Sequence, residues 1–160
     1  MEDSRVRVAV RVRPFTLREK KMNDTCIIQM DGKQTTITNP ENGISKTFSF
    51  DYSIWSHNGF AKNKDGYFEA DPNHTGIEYK DQEFVYNELG STILDNAWKG
   101  FHSCIFAYGQ TGSGKSYSMI GYNNNIGIVP RFTEEIFERI SRNTEKSKRF
   151  EGKIKENILI

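Results

Sequence analysis

Residues 5–13 alternate without a break. Val6, Val8, Val10 and Val12 fall on one side, and Arg5, Arg7, Ala9, Arg11 and Arg13 on the other. Period-two alternation of β-branched residues predicts a β-strand. Pro14 ends it, because proline brings no N–H to a ladder. Short strands are predicted at 26–30, 35–38 and 47–52, separated by the turn-forming stretches "DGK" and "NPENG". Together they form a small antiparallel meander near the N-terminus.

Residues 56–80 are rich in Gly, Asn, Asp and Lys and have no clean period, which predicts a long surface loop. An amphipathic helix is predicted over 81–99, with Val85, Leu89, Ile93 and Ala97 spaced by four and Gly100 as its stop. The run Cys104, Ile105, Phe106, Ala107, Tyr108 has no polar alternation. A strand apolar on both faces belongs in the middle of a sheet that helices cover on both sides. A helix is predicted to start near Gly114, and another spans 130–140 with Val129, Phe132, Ile136 and Ile140 on one face and Pro130 in its first turn. The pattern is α/β: a central sheet with helices on both faces, plus the meander.

Composition narrows the class of partner. The 160 residues are enough for one domain, and 12% aromatic with 27% charged residues is a globular balance. With 22 basic and 21 acidic side chains the net charge is +1, so nothing global favours nucleic acid or an anionic membrane as a partner. The N-terminus has no apolar signal core and no apolar run is long enough to insert in a bilayer. Cys26 and Cys104 form no C-x-x-C pair and lie in apolar segments, which predicts buried, reduced thiols of a cytosolic protein.

The sharpest chemical signal follows the apolar run. Gly109-Gln110-Thr111-Gly112-Ser113-Gly114-Lys115-Ser116 fits the phosphate-loop pattern G-x-x-x-x-G-K-[ST]. Its glycines permit backbone angles that turn successive N–H groups inward on an anion, and the helix behind adds its positive end. Lys115 would reach the β- and γ-phosphates, and the Ser116 hydroxyl would hold Mg²⁺; these two are the candidate catalytic residues. Chance would produce such a match roughly 0.01 times in a chain of this composition. The rival reading is a glycine-rich turn with an incidental Lys-Ser. By contrast, His57, His74 and His102 have no metal-ligand spacing, Glu134, Glu135 and Glu138 read as a solvated helix face, and Lys146, Lys148 and Arg149 read as a solvated basic loop.

Small phosphate-loop kinases and GTPases usually carry the loop after their first strand, whereas here 108 residues precede it. That layout fits cytoskeletal motors. "AYGQTGSGKSYSM" resembles the phosphate loop of kinesin motor domains nearly letter for letter, and "VAVRVRPF" resembles their first strand and adenine-side motif. "FSFDYSIWSH", "CIIQM" and "GIVPR" are most similar to the kinesin-three subfamily. The resemblance runs from about residue 5 to about 150 and implies the N-terminal portion of a motor domain, with residues 1–160 as one unit. It implies that Arg11, Arg13 and Pro14 border an adenine, that Tyr117 lies against the base's other side, and that Gly109 to Ser116 hold ATP and Mg²⁺. It implies that helices 81–99 and 130–140 lie on the two sides of the sheet. It also implies a microtubule partner and a cytoplasmic, cytoskeletal location.

Two family segments have no match here. No N-x-x-S-S-R-S-H and no D-x-x-G-x-E occurs, although the resemblance assigns water positioning and γ-phosphate sensing to them. The resemblance also places the main microtubule-binding elements outside these residues. From about 151 to 160, "EGKIKENILI" departs from the expected strand pattern and reads as a truncated product, an alternative end or an incomplete gene model. The leading expectation is the ATP-binding part of a microtubule motor, a microtubule-stimulated ATPase when intact. The competing ones are a truncated, non-motor nucleotide-binding fragment and an unrelated phosphate-loop enzyme such as a small kinase. Central strands left as edges predict that the isolated chain is poorly soluble or partly unfolded. Ultracentrifugation with a thermal melt checks this, and a monomer with one sharp cooperative transition would contradict it.

Overall fold

The computed structural model describes residues 6–142. Arg5, the basic loop at 146–149 and the divergent stretch 151–160 lie outside the described residues. The alternating N-terminal segment forms β1 (Ala9–Val12), which pairs in parallel with β5 (Tyr52–Trp55), Arg11 opposite Ile54. Val8 continues the ladder, its carbonyl accepting from Asp51 N at 3.0 Å, and its own N–H meets the Asp51 carboxylate at 2.7 Å.

Val6 and Val8 are exposed, while the Ala9–Arg11 side lies under helices, with Ala9 packed against the core. Alternation identified a strand but could not say which face the helices would take. Helical cover falls on the Tyr52–Ile54 side of β5, and the parallel register puts Ala9 and Arg11 on that side too.

The meander is present as β2 (Ile28–Asp31), β3 (Gln34–Thr38) and β4 (Ser45–Ser49), all antiparallel. Cross-strand hydroxyl pairs reinforce it, Thr36–Thr47 at 2.8 Å and Thr38–Ser45 at 2.9 Å. It docks on the other face of β5 through Thr35 and Ser53, whose hydroxyls lie 2.9 Å apart. A short helix that the sequence reading missed, α1 (Leu17–Lys21), precedes it. Thr16 and Glu19 form a capping box there.

The expected loop at 56–80 contains a hairpin, β6 (Phe60–Lys62) with β7 (Phe68–Ala70). Its turn is built by the Asn63 Oδ1, which accepts from Asp65 N and Tyr67 N at 3.0 Å each. Phe60 packs against Phe68 at 5.3 Å and the buried Tyr79 at 5.2 Å between ring centroids. Those three aromatics supply the apolar face that the polar composition hid.

The helix expected over 81–99 begins with Asp81 as N-cap, accepting from Phe84 N at 2.8 Å. It runs as α2 (Gln82–Val85), a π-helical turn (Tyr86–Gly90) and α3 (Ser91–Trp98), and ends at Gly100 with φ +85°. The π-turn lets the Tyr86 ring lie over Gly90, where any Cβ would overlap it. After α4 (Lys115–Met119) comes a tight hairpin of β8 (Gly121–Tyr122) and β9 (Asn125–Ile126), then α5 (Ile128–Arg142).

The core joins Ile54, Val85, Tyr86 and Ile128, flanked by Ala9, Tyr52, Met119 and Phe132. The two long helical segments therefore meet each other instead of lying on opposite sides of the sheet. The Tyr86 hydroxyl donates to Glu135 at 2.6 Å, and Arg139 bridges Glu135 and Asp95 at 2.6 Å each. Glu135, expected on a solvated face, thus belongs to a helix–helix contact; the Tyr86 hydrogen bond is the main reason its pKa falls below the usual carboxylate value.

The expected central strand at 104–108 does not form among the described residues. Phe106 is 82% and Tyr108 96% exposed. A strand exists only through its neighbours, and among the described residues no strand pairs with 104–108; the α/β class rests on the β1–β5 pair and its helices. Leu94, fully buried at 0% exposure in α3, gives a direct check of the helical packing. Leu94→Ala is expected to destabilise the fold by about 2–5 kcal/mol, read as a lowered urea midpoint.

Candidate functional site

The segment Gly109–Ser116 leaves the extended run and turns into α4. Gly112 and Gly114 have φ +79° and +98°, left-handed values that would strain any residue with a Cβ. Gly114 is the N-cap of α4, and no side chain caps that helix. The N–H groups of its first turn are therefore left for a ligand or water. Ser113 N bonds Gln110 O at 3.1 Å and closes the turn, while Gln110 and Thr111 themselves are exposed. The Lys115 ammonium folds back onto the loop, donating to Gly109 O at 2.8 Å and Gln110 O at 3.0 Å. Ser116 is exposed at the start of the helix.

Arg13 and Glu19 tie this loop to the N-terminal region. Arg13 Nε donates to Gly112 O at 2.8 Å, while Nη1 and Nη2 take both Glu19 oxygens at 2.7 and 2.8 Å. Arg13 was expected beside a base; the structure instead has its guanidinium strapping the loop to α1. The fork matches the carboxylate bidentately, as an arginine does where geometry must be fixed. The Arg13 hydrogen bond, with further bonds from Thr16, pulls the Glu19 pKa from 4.5 to about 2.

Arg11 sits deeper. Its Nε donates to Ser56 Oγ at 2.9 Å, and Nη1 to Gln82 Oε1 at 2.7 Å and Ser118 Oγ at 3.0 Å. Its guanidinium carbon lies 5.5 Å from the centroid of the Tyr117 ring, in cation–π range. Burial lowers the Arg11 pKa from its usual value, opposed by Tyr79, Tyr117 and Asp81. Burial also raises the Tyr117 pKa. Nη2 of Arg11 is buried with no hydrogen-bond partner, the single such side-chain atom among the described residues. It is a donor still available on this wall.

Pro14 lines an open cleft of about 300 Å³ with Phe15, His57 and Phe60. His57 packs edge-on to Phe15 at 4.6 Å, and its Nδ1 lies 3.0 Å from Arg13 O. The structure thus brings Arg11 and Tyr117 together and Arg13 with the loop, and sets Pro14 in a neighbouring cleft.

Sequence reasoning missed Glu19, Ser118 and Gln82. Glu19 was legible as a T-x-x-E capping box; Gln82 carried no signal, because polar residues are common in a helix's first turn.

These features define an α/β protein of the phosphate-loop class. The description Kinesin motor domain matches residues 11–156, and the chain belongs to that family. It is 49% identical over 141 residues to Kinesin-like protein KIF28 of Rattus norvegicus, a match covering 88% of this chain and 13% of that protein. It is 46% identical over 147 residues to human Kinesin-like protein KIF1B, covering 89% of this chain and 7% of that protein. The chain therefore spans a small part of the length of these relatives. Among solved structures, it superposes on KIF14 residues 391–755 with ADP in complex with a microtubule. The TM-score is 0.73 at 39% identity, covering 88% of this chain and 35% of that one. A KIF14 dimer with AMP-PNP on a microtubule gives 0.70 at 38% identity, covering 87% and 34%.

The Glu19 shift sets a pH dependence. A carboxylate whose pKa falls on folding adds stability that is fully present above its unfolded value and is lost as pH drops through the folded one. The Arg13–Glu19 strap is therefore expected to weaken between about pH 4.5 and about 2. Carboxyl NMR titration checks this: the Glu19 midpoint should lie near the lower value and rise toward the ordinary range in Arg13→Ala, held below it by the remaining Thr16 bonds.

Proposed function

We propose that this chain carries the ATP-binding cradle of a microtubule-based motor. The single observation that supports the reading most is the loop itself: two glycines in left-handed conformations leading into an uncapped helix start, with Lys115 bent over the loop carbonyls. Those carbonyls hold the ammonium where phosphate oxygens would replace them. The structural relatives are complexes with ADP and with AMP-PNP, nucleotides of the matching kind.

The roles of the residues follow from their positions. The N–H groups at Gly114, Lys115 and Ser116 would donate to phosphate oxygens, and the ammonium of Lys115 would pair with the terminal phosphates. Mg²⁺ fits the donor set: it keeps several waters and takes one or two protein oxygens besides phosphate, and the exposed Ser116 hydroxyl can be one. When bound, the ion neutralises charge developing on the phosphates. Arg11 and Tyr117 form the base side of the site by cation–π and stacking surface, and Pro14 borders the cleft beside it. Arg13 keeps the loop in place by holding Gly112.

Motion along microtubules and a cytoskeletal location belong to this proposal for the intact motor, as the relatives' microtubule complexes suggest. Among the described residues, no helix is long and apolar enough to cross a membrane. Hydrolysis needs an oriented water and charge stabilisation beyond the cradle. Neither switch pattern occurs within these 160 residues, so the cradle is the part of that chemistry they carry.

Calorimetric titration with Mg·ATP tests the cradle. Saturable binding is expected, weakened about 10–100-fold by Lys115→Ala through loss of a charge-assisted contact. Equal affinity in the variant would contradict the assignment. Phosphate release with and without microtubules then separates the motor from the non-cycling fragment, since only the motor is stimulated.

A further inference from the structure

Gln82 is 2% exposed at the first position of α2, and all of its hydrogen-bonding goes inward. Its Oε1 accepts from Arg11 Nη1 at 2.7 Å. Its Nε2 donates to the carbonyls of Tyr117 at 2.6 Å and Asn125 at 3.1 Å. One amide thus grips a side chain of β1, the backbone directly after the phosphate loop and the first residue of β9.

Asn125, 3% exposed, extends the grip. Its Oδ1 accepts from Phe68 N at 2.8 Å, and its Nδ2 donates to Gly66 O at 3.1 Å, so the β6–β7 hairpin braces the same point. The Asn124 side chain bonds Asp65 O alongside. The brace therefore runs from the outer hairpin through two buried amides to the Arg11–Tyr117 pair.

An arginine side chain has many rotamers, and cation–π contact needs one placement over the ring. Nothing in β1 itself holds the Arg11 guanidinium over Tyr117. Gln82 fixes both partners, the cation by its oxygen and the ring's backbone by its nitrogen. We propose that Gln82 is the positioning residue for the base side of the nucleotide site, setting how strongly the nucleobase, as distinct from the phosphates, contributes to binding. This rests on the nucleotide reading above. The phosphate loop makes no hydrogen bond to Gln82; its Lys115 and Gly112 contacts run to Gly109, Gln110 and Arg13.

Separating base from phosphate gives the test. The full chain and its Gln82→Leu and Ser118→Ala variants are titrated with Mg·ATP and, separately, with magnesium tripolyphosphate, which has the phosphates and no base. Gln82→Leu keeps side-chain bulk but cannot hold Arg11; Ser118→Ala removes only the second acceptor for Nη1, a change too small to unfold the helix. Gln82→Leu is expected to weaken ATP about tenfold and Ser118→Ala about threefold, with tripolyphosphate affinity unchanged in both. Unchanged ATP affinity in both variants overturns the proposal. So does an equal fall for both ligands in Ser118→Ala, which would mark a general structural role. A parent chain that binds tripolyphosphate and ATP equally removes the base contribution and overturns it too. A parent chain that binds neither ligand sinks the nucleotide reading itself, and this inference with it.

Discussion

β1 and β5 lie side by side and parallel, Ala9 against Tyr52 and Arg11 against Ile54. Parallel strands in register place these four side chains on one face, and the rest of the site depends on that placement. Ile54 and Ala9 anchor the helical layer through Val85, Tyr86 and Ile128. Arg11, one step further along, is carried under the same helices to the spot where Gln82, Ser118 and Tyr117 meet it. Arg13, two residues on and beyond the strand, meets the loop at Gly112 instead. A one-residue slip would turn both arginines to the other face.

The two arginines divide the work between them by depth. Arg13 is solvent-accessible and pairs with a carboxylate, so its strap is a screened, geometric tie. The hydrogen-bond acceptors of Arg11 are all neutral and Asp81 acts on it without a hydrogen bond, a costly setting for a buried charge. Burial pulls its pKa down, and one donor stays unpaired. A protein that only needed stability would do better with an apolar residue there. Keeping a cation beside an aromatic ring is consistent with a site that holds a ligand.

Much of this was legible in the sequence where one local signal sufficed. The helix start after Gly114, the meander with its turn residues, the helix start near Asp81 and Gly100 as a stop all appear at or near the expected positions. Failures came where long-range contacts decide. The apolar run at 104–108 satisfied every local requirement of a central strand, yet pairing needs partners that local pattern cannot supply. The hairpin within 56–80 was hidden because its face is made by three aromatics far apart in the chain. Alternation in β1 could not tell that the Ala9–Arg11 side is the one helices cover. Cys104, read as buried, is exposed because its apolar run has no partner strand among the described residues. Gln82, which ties Arg11 to the backbone of Tyr117 and Asn125, gives no sign of itself in a one-dimensional pattern.

What the phosphate loop does is the central claim, and hydrogen–deuterium exchange reads it directly. The first-turn amides of α4 lack intrahelical partners, so a bound phosphate should slow their exchange more than any other change in the region. Saturating Mg·ATP is expected to protect the peptide covering residues 109–117 strongly and that covering residues 8–14 more weakly, while the β2–β4 meander stays as it was. Exchange across residues 109–117 that is unaltered at saturating nucleotide would contradict the assignment of this loop as an ATP cradle.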